Sequence, residues 1–470
     1  MTQLTPNPDR LFPADPAERD IARRLYAEVA TAPILSPHGH VDANLLLENE
    51  AFRDPAELLI TPDHYVTRLL HAHGVPLGEL GLADRGVPSS ASGADIWRHF
   101  SSHWSDFAGT PVRYWFETEL HDVFGITEVP SVESSDRIYA QIAERLARPE
   151  WRPRALFERF NIEVLATTDD PADSLDAHRA LAADPTFAGR VLPTFRADRY
   201  MDPGAAGWRD ALTALADAAD IDTGTYAGLI AALKNRREYF IAHGATATDT
   251  GVLEPTAEPL TTAEAERIHA AALAGTASEA DTLAYRRNML YRYAEMAAED
   301  GLVMQLHPGV IRGHHAPTLE RFGPDTGHDL PDQASFTRPL RRILQDFGTN
   351  ETFRLVLFTV DETVFSREIG PLAGFYPSVF AGAPWWFIDT PAAIARYRSA
   401  VTDSAGFAKT SGFIDDTRAF CSIPARHDMS RRADAAFLAG LVTTHQLGED
   451  EAAVIIRDLT DRIPRSVFRL

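Results

Sequence analysis

Two histidines stand one residue apart in the stretch SPHGHVD, residues 36–42. On a β-strand, side chains two residues apart point to the same face, so His38 and His40 could share one divalent cation. The spacing alone is weak evidence, because the chain contains 17 histidines and such pairs arise by chance. The alternative is that both histidines lie in a loop and bind no metal. A metal site requires further ligands from other parts of the chain.

Short apolar runs that are typical of buried strands alternate with helical segments along the chain. The runs are APILSPHGHVD, NIEVLATTDD, RVLPTFRAD, EYFIAHGATATD, LVMQLHPGVIR, RLVLFTVDE, VFAGAPWWFID and FAKTSGFIDDTRAF. Strands that alternate with helices favour parallel βαβ units, and about eight of them predict an α/β fold of the (β/α)8 TIM-barrel type. A doubly wound open sheet is the alternative, but no glycine-rich dinucleotide motif follows any of these runs.

The remaining segments have helical patterns. Asp15 can cap a first helix whose first turn contains Pro16 and Glu18. Between the first and second runs, residues from about 43 to 150 are mostly helical in pattern, with breaks such as RGVPSSASGAD. We expect this stretch to be a helical insertion after strand one that caps the site. The whole chain, residues 1–470, is expected to form one barrel domain.

Active sites of such barrels lie at the C-terminal ends of the strands. His307 ends a middle run, and Asp415 and Asp416 end the last one. With His38 and His40 they could form a site of neutral imidazoles and one carboxylate, which suits Zn²⁺, with Mn²⁺, Fe²⁺ and Co²⁺ as alternatives. Neighbouring residues on a strand face opposite sides, so only one of the two aspartates can be a ligand. No lysine ends the fourth run, so we expect one metal ion rather than a lysine-bridged pair.

Composition limits the possible partners. The net charge of −22 disfavours nucleic acid and anionic membranes as partners. No apolar stretch is long enough to cross a bilayer, and the start MTQLTPNPDRLFPADPAERD lacks the basic and apolar regions of a signal peptide. The single cysteine, Cys421, excludes an internal disulfide and fits a reducing compartment. We therefore expect a cytoplasmic enzyme that acts on a small molecule and self-associates as a homo-oligomer.

Several motifs, in the same order along nearly the whole chain, resemble those of the uronate isomerases (glucuronate isomerases). This family is a branch of the amidohydrolase superfamily of metal-dependent barrels, and the chain looks like a divergent member. The motifs are SPHGHVD, DHYVTRLLHAHGV, ATTDDPADSLDAH, LPTFRADR, MQLHPGVIRG with FGPDTGHD, APWWFID and DDTRAFCSIPARHDMSRR. The resemblance implies an aldose–ketose isomerase for hexuronates, which converts D-glucuronate to D-fructuronate or D-galacturonate to D-tagaturonate through an enediol.

The resemblance also implies roles for particular residues. Asp416, rather than Asp415, would be the carboxylate ligand and would also move a proton, and Arg418 would meet substrate oxygens. His64 and Tyr65 would reach the site from the insertion as catalytic groups, although the residues alone favour a buried polar pair. The expected metal ligands are His38, His40, Asp416 and His307. The residues expected to contact the substrate are Arg196, His307, Trp386, Arg68 and Asp249.

The chain departs from the family's usual pattern at several positions. Tyr114 and Glu117 stand where the family usually has histidines, and Thr250 replaces another. These differences do not affect the expected metal ligands. They leave undecided which sugar acid is the substrate. Two other functions are compatible with the residues. One is hydrolysis of a lactone, amide or ester by metal-bound hydroxide, and the other is a barrel that binds sugar acids without turning them over.

Overall fold

The computed structural model describes residues 3–470, and most of its strands pair in parallel. The strands are β1 (Ile34–Ser36), β2 (Ile162–Ala166), β3 (Arg190–Leu192), β4 (Phe195–Arg196), β5 (Ala247–Val252), β6 (Val303–Pro308), β7 (Val310–Ile311), β8 (Leu330–Pro331), β9 (Leu355–Leu357) and β10 (Val379–Ala381). Parallel pairing runs β1–β2–β3 and β4–β5–β6–β9–β10, while β7 and β8 form a separate antiparallel pair. The parallel strands form the inner layer of the fold, and the helices lie around them.

The two parallel sheets continue into one another. β3 and β4 belong to one extended segment, and a parallel bridge between Asp169 and Phe195 links the end of β2 to β4. At the other edge, Ala381 of β10 bridges to Thr410. The backbone N–H of His40, just after β1, donates to the carbonyl of Thr417 at 3.0 Å. The segment 410–417 therefore stands between β10 and the residues after β1, which gives the order of the predicted (β/α)8 barrel.

Helices connect and surround these strands. The first helix is α1 (Pro16–Ala27), whose N–H groups at Ala17 and Glu18 donate to the predicted cap, Asp15, at 2.9 and 3.1 Å. The helices after β2 are α9 (Asp176–Ala183), α10 (Asp198–Met201), α11 (Trp208–Ala219), α12 (Tyr226–Ala242), α13 (Thr262–Ala274), α14 (Glu279–Asp300), α15 (Ala316–Phe322), α16 (Arg341–Phe347), α17 (Gly370–Phe375), α18 (Pro391–Ala405), α19 (Ile423–Thr443), α20 (Glu449–Arg457) and α21 (Ile463–Phe468). Between residues 3 and 470, the helices are all too short or too polar to span a membrane.

The regular elements between β1 and β2 are all helical. They are α2 (Ala43–Glu48), α3 (Pro55–Leu59), α4 (His64–Ala72), α5 (Gly93–Ser102), α6 (Pro111–Thr118), α7 (Ser135–Leu146) and α8 (Pro153–Arg159). Aspartates cap three of these helices through their carboxylates, at Asp42, Asp54 and Asp63. An acceptor before the first turn satisfies N–H groups that have no partner inside the helix, which fixes where each helix begins.

Two large groups of buried apolar side chains hold the layers together. One contains Trp97 and Trp115 of the insertion together with Val356 of β9, so the insertion and the barrel share a core. The other contains Leu306 of β6 and Tyr285 of α14, between the strands and the outer helices. Burying each large apolar side chain stabilises the fold by about 1.5–3 kcal/mol. Because side chains alternate along a strand, burying Leu306 on the outer face directs His307 inward.

Two predicted strands differ in the structure. The fourth run is half helical, because Glu238–Ala242 completes α12 and β5 begins only at Ala247, after Gly244 ends the helix with a φ of +92°. The last run forms no regular strand and joins its neighbours through the bridge at Thr410 and the hydrogen bond from His40 to Thr417. Positive φ angles at Gly412 and Asp416, +76° and +38°, interrupt the extended backbone there.

A buried ion pair joins α18 and α19 in the outer layer of helices, and its removal tests how much it contributes to the stability of the fold. Arg398 and Asp434 form two hydrogen bonds of 2.6 and 2.8 Å, with side chains 3% and 6% exposed. Arg398→Met should lower the free energy of unfolding by about 3–5 kcal/mol, because Asp434 stays buried without its partner. Chemical denaturation measures this loss. The control is Arg24→Met, whose pair with Glu449 is exposed; equal shifts in both variants would contradict the expectation.

Candidate active site

A cavity of about 1000 Å³ opens at the C-terminal ends of the strands. Its wall contains residues that follow β1, β9 and β10, the last residues of β4, β5 and β6, and the segment 414–418. The start of α4 adds side chains from the insertion. This is the face on which barrel enzymes carry their active sites.

The imidazoles of His38 and His40 face the carboxylate of Asp416 in this cavity. Oδ1 of Asp416 lies 3.4 Å from Nε2 of His38 and 3.1 Å from Nε2 of His40. This oxygen is buried and has no partner of hydrogen-bond geometry within residues 3–470. Bonds of about 2.0–2.1 Å to a tetrahedral zinc ion place two ligand atoms about 3.3 Å apart. Each of the two histidine nitrogens therefore lies at a distance from Asp416 Oδ1 that suits two ligands of one cation.

His307 lies beside this group. Donor atoms of His38, His307 and Asp416 lie within 4.8 Å of one another and form a possible metal-binding group. His40 adjoins this group through its contact with Asp416. Nδ1 of His307 donates to Oδ1 of Asp249 at 2.7 Å, because an ionised carboxylate can only accept. Nε2 of His307 then carries the lone pair, and it is buried without a partner in the described chain. It can bind a metal ion or accept a hydrogen bond from a ligand.

The two neighbouring aspartates of the last run have different surroundings. Asp415 accepts a hydrogen bond of 3.0 Å from Nε2 of His427, on α19. Asp416 instead faces His38 and His40, and its left-handed φ of +38° turns its side chain toward them. Burial raises the pKa of Asp416, but the two imidazoles outweigh it and hold the pKa well below its usual range. The geometry thus favours Asp416 over Asp415 as the ligand, the order that the sequence motif implied.

Arg196 is held between two carboxylates. Its Nε lies 2.9 Å from Oδ2 of Asp198, and its Nη1 lies 3.0 Å from Oδ2 of Asp249. Burial raises the pKa of Asp249, but Arg196 and His307 outweigh it, so the carboxylate stays ionised. The guanidinium of Arg196, which was expected to contact the substrate, is therefore already paired with two acids of the chain. Arg196 also orients Asp249, which in turn orients His307.

His64 and Tyr65 form the first turn of α4 and line the cavity. The Tyr65 hydroxyl donates to Oδ1 of Asp389 at 2.5 Å and accepts from the backbone N–H of Phe387 at 3.0 Å. Burial, together with Asp389, raises the pKa of Tyr65 well above its usual value. Burial and the nearby Arg418 lower the pKa of His64 to about 3, so this imidazole is neutral at pH 7.

Trp386 and Arg68 were both predicted to contact the substrate, but only Trp386 lines the cavity. Trp386 lines the cavity, and its Nε1 is buried without a hydrogen-bond partner among residues 3–470. Trp385 packs its ring edge-on against His307, with centroids 4.7 Å apart. Arg68 is not part of the cavity wall, because its guanidinium lies over the ring of Phe387 at 4.5 Å. The structure brings Trp386 to the site and gives Arg68 a bracing position behind it.

Sequence reasoning missed part of the cavity wall. Arg426, on α19, is buried beneath Tyr65 and pairs with Oδ2 of Asp389 at 3.0 Å. Asp389 precedes a Thr-Pro pair, a position that is typical of a helix cap, but Thr390 caps α18 in the structure. The motif IPARHDM contains Arg426, yet nothing in its spacing indicated that this side chain turns toward the insertion. The residues that depart from the family pattern, Tyr114, Glu117 and Thr250, are outside the described cavity wall.

Fold and site together define a barrel enzyme whose histidines and aspartate could hold a metal ion. The family model described as glucuronate isomerase matches residues 16–468. The chain is 52% identical to the uronate isomerase of Corynebacterium efficiens, and the match covers 100% of both chains. It therefore belongs to the glucuronate isomerase family, as its motifs predicted.

Solved structures agree with this assignment. The glucuronate isomerase from Caulobacter crescentus is 40% identical, with a TM-score of 0.97 over 99% of this chain and 97% of that one. The uronate isomerase from Thermotoga maritima is 28% identical, with a TM-score of 0.92 over 99% of both chains. The predicted barrel fold and the predicted family are thus both confirmed.

The two aspartates of the last segment allow a matched test of the metal site. Asp416→Asn should lower the affinity for a divalent ion by at least about 10-fold, because it removes an anionic ligand. Asp415→Asn should keep the ion, since that carboxylate contacts His427 instead. Elemental analysis after dialysis against limiting chelator measures both. Loss of metal from Asp415→Asn with retention by Asp416→Asn would reverse the assignment.

Proposed function

We propose that this protein is a metal-dependent hexuronate isomerase, which converts D-glucuronate to D-fructuronate or D-galacturonate to D-tagaturonate. The observation that carries the proposal is the convergence of His38, His40 and Asp416 in the cavity of a chain from the glucuronate isomerase family. The reaction moves a proton from C2 to C1 and leaves the atoms of the sugar otherwise unchanged. It therefore needs a proton carrier and groups that stabilise negative oxygens.

His38, His40 and Asp416, with His307 beside them, would hold one divalent ion. Zn²⁺ suits this set of nitrogen and oxygen donors, and Mn²⁺, Fe²⁺ and Co²⁺ accept similar ligands. A bound ion supplies a Lewis acid for the carbonyl and hydroxyl oxygens at C1 and C2. Asp249 supports the set indirectly, because it fixes the His307 ring through Nδ1.

Unpaired polar atoms in the cavity wall support a polyhydroxylated ligand. Nε2 of His307, Nε1 of Trp386 and Nδ1 of His64 are buried and lack hydrogen-bond partners among the described residues. A buried polar group without a partner costs about 1–3 kcal/mol, which a ligand hydroxyl can recover. Arg418 and Arg196 offer the remaining N–H donors to the sugar's oxygens. A sugar acid matches this mixture of donors and acceptors.

Asp416 is the proposed proton carrier. Its Oδ1 faces the two imidazoles, which leaves Oδ2 for a proton that departs from C2 and returns at C1. His64, neutral at pH 7, would hydrogen-bond a sugar hydroxyl rather than act as a strong base. The Tyr65 hydroxyl, tied to Asp389, would hold the adjacent Trp386–Phe387 turn in place and donate to the sugar only by exchanging that bond.

We also propose that the enzyme works in the cytoplasm and assembles from identical subunits. The single cysteine is buried and free, which suits a reducing compartment. The strongly acidic composition disfavours nucleic acid and anionic membrane as partners. The remaining partner is the small sugar acid itself.

The first test follows both sugars by NMR. The metal-loaded protein is mixed with D-glucuronate or D-galacturonate in D₂O, with Asp416→Asn as the control. We expect the ketouronate signal to grow with the unchanged chain only, because the variant lacks both a ligand and the proton carrier. Incorporation of deuterium at C1 of the product would mark exchange of the carried proton with solvent.

The same measurement separates the alternatives. A hydrolase would leave both uronates unchanged but would add water to a lactone, an amide or an ester. A barrel that only binds sugar acids would shift the sugar signals without forming product. Unchanged spectra for both uronates, with metal present by elemental analysis, would contradict the proposed isomerisation.

Two side chains from the insertion allow a separate test of their roles. His64→Gln and Tyr65→Phe should each lower kcat by about 10-fold or more, because each removes a polar group from the cavity wall. Neither change should alter the metal content, since neither residue belongs to the proposed ligand set. A variant with unchanged kcat and KM would remove that residue from the catalytic group.

A further inference from the structure

The stretch that carries His38 and His40 lies just beyond the paired part of its strand. Backbone pairing between β1 and β2 ends where Ser36 meets Leu165, so the residues after Ser36 have no ladder of their own. Within residues 3–470, two hydrogen bonds hold the backbone of residues 38–40. One of them is the bond from the N–H of His40 to Thr417, on the side of the last segment of the barrel wall.

The second bond comes from the side of β2. The hydroxyl of Thr168 donates to the carbonyl of Gly39 at 2.9 Å, and it is the only donor to that carbonyl in the described part of the chain. Gly39 stands between the two histidines and lies close to the end of β2, because a Cβ atom there would be 3.5 Å from the carbonyl oxygen of Ala166. The two bonds therefore reach the histidine stretch from opposite sides.

Thr168 is itself on a firmly held backbone. The N–H of Thr167, before it, donates to the carbonyl of Leu192 at 2.9 Å. The N–H of Asp169, after it, donates to the carbonyl of Thr194 at 2.9 Å, and the carboxylate of Asp169 accepts from the N–H of Thr194 at 3.1 Å. A β-branched side chain on a fixed backbone has few rotamers. The Thr168 hydroxyl is therefore a rigid donor.

The same segment also supports the third imidazole. The N–H of Arg196 donates to the carbonyl of Asp169 at 3.0 Å, which fixes the backbone of the arginine that pairs with Asp249. Asp249 in turn accepts from Nδ1 of His307. Residues 168 and 169 thus connect to both parts of the chain that supply histidines to the candidate metal site.

We propose that Thr168 is a positioning residue for the candidate metal site, because its hydroxyl fixes the carbonyl between His38 and His40. The inference rests on the proposed function and gives a role to the motif ATTDDPADSLDAH, whose Thr168 lies outside the cavity wall. Without this bond the two imidazoles could turn relative to each other. Binding of an ion would then have to order them, which lowers the affinity.

The test compares two substitutions of one side chain. Thr168→Val removes the hydroxyl and keeps the branched shape, whereas Thr168→Ser keeps the hydroxyl. Thr168→Val should weaken binding of Zn²⁺ by about 3- to 10-fold, the range that corresponds to the loss of one hydrogen bond. Thr168→Ser should stay within about twofold of the unchanged chain. Competition with a chromogenic chelator measures the affinity without any turnover of sugar.

Co²⁺ gives a second readout that a purely structural role would not change. Its visible absorption depends on the number and geometry of its ligands. The spectrum of the Co²⁺-loaded protein should change in Thr168→Val and be restored in Thr168→Ser, because only the first variant releases the carbonyl of Gly39.

The matched control is Thr223→Val. The hydroxyl of Thr223 also donates to a backbone carbonyl at 2.9 Å, that of Leu212, but it lies in the loop between α11 and α12. This variant should lower the melting temperature and leave the Zn²⁺ affinity and the Co²⁺ spectrum unchanged. If Thr168→Val behaves in the same way, Thr168 only supports the fold and the proposal is overturned.

Folding and function are separated from the proposal by the same measurements. If Thr168→Val does not fold, Thr168→Ala replaces it, because a side chain smaller than threonine cannot overpack the site. If the unchanged chain binds the ion but isomerises neither uronate, the proposed reaction fails and the Zn²⁺ affinities still decide the role of Thr168. If the unchanged chain binds no divalent ion, both the metal-dependent function and the positioning role are overturned.

Discussion

The candidate site depends on one constraint. The residues after the first strand must lie next to the last segment of the barrel wall, residues 410–417. His38 and His40 follow β1, while Asp416 belongs to the segment that follows Thr410, more than three hundred residues later in the chain. These residues become neighbours only because the ring of strands returns to its start, and the hydrogen bond from His40 to Thr417 lies at that junction. Closure of the barrel therefore also brings the candidate metal ligands together. A chain that left the sheet open would separate the candidate ligands.

The cavity contains charged side chains of both signs, and the partners of each aspartate determine whether it is ionised. Burial alone would favour the neutral forms of its aspartates. Arg196 and His307 keep Asp249 ionised, and His38 and His40 do the same for Asp416. The positive φ values at Asp416 and at Trp386, +38° and +24°, belong to backbone that costs about 1–3 kcal/mol per residue. The surrounding packing holds this strained backbone in the cavity wall.

Sequence reasoning predicted the barrel, the helical stretch after β1 and the histidine pair, because hydrophobic periodicity and ligand spacing are local properties. It predicted eight strands, and seven of these runs contain a strand in the structure. The fourth prediction extended β5 backward into α12, since aromatic residues such as Tyr239 and Phe240 also suit a helix. The residues alone left Asp415 and Asp416 equivalent, and only the family resemblance favoured Asp416, because the direction of each side chain depends on the local backbone φ. The ion pair between Arg426 and Asp389 could not be predicted from the sequence, since two residues 37 positions apart meet only through the tertiary fold.

The most direct test of this account is anomalous diffraction from crystals of the metal-loaded protein, recorded on both sides of the absorption edge of the bound ion. The account predicts one anomalous peak, in contact with Nε2 of His38, Nε2 of His40 and a carboxylate oxygen of Asp416. His307 would lie in or next to that coordination sphere through Nε2. A peak between Asp415 and His427, or a peak that contacts only one of the two histidines after β1, would contradict it.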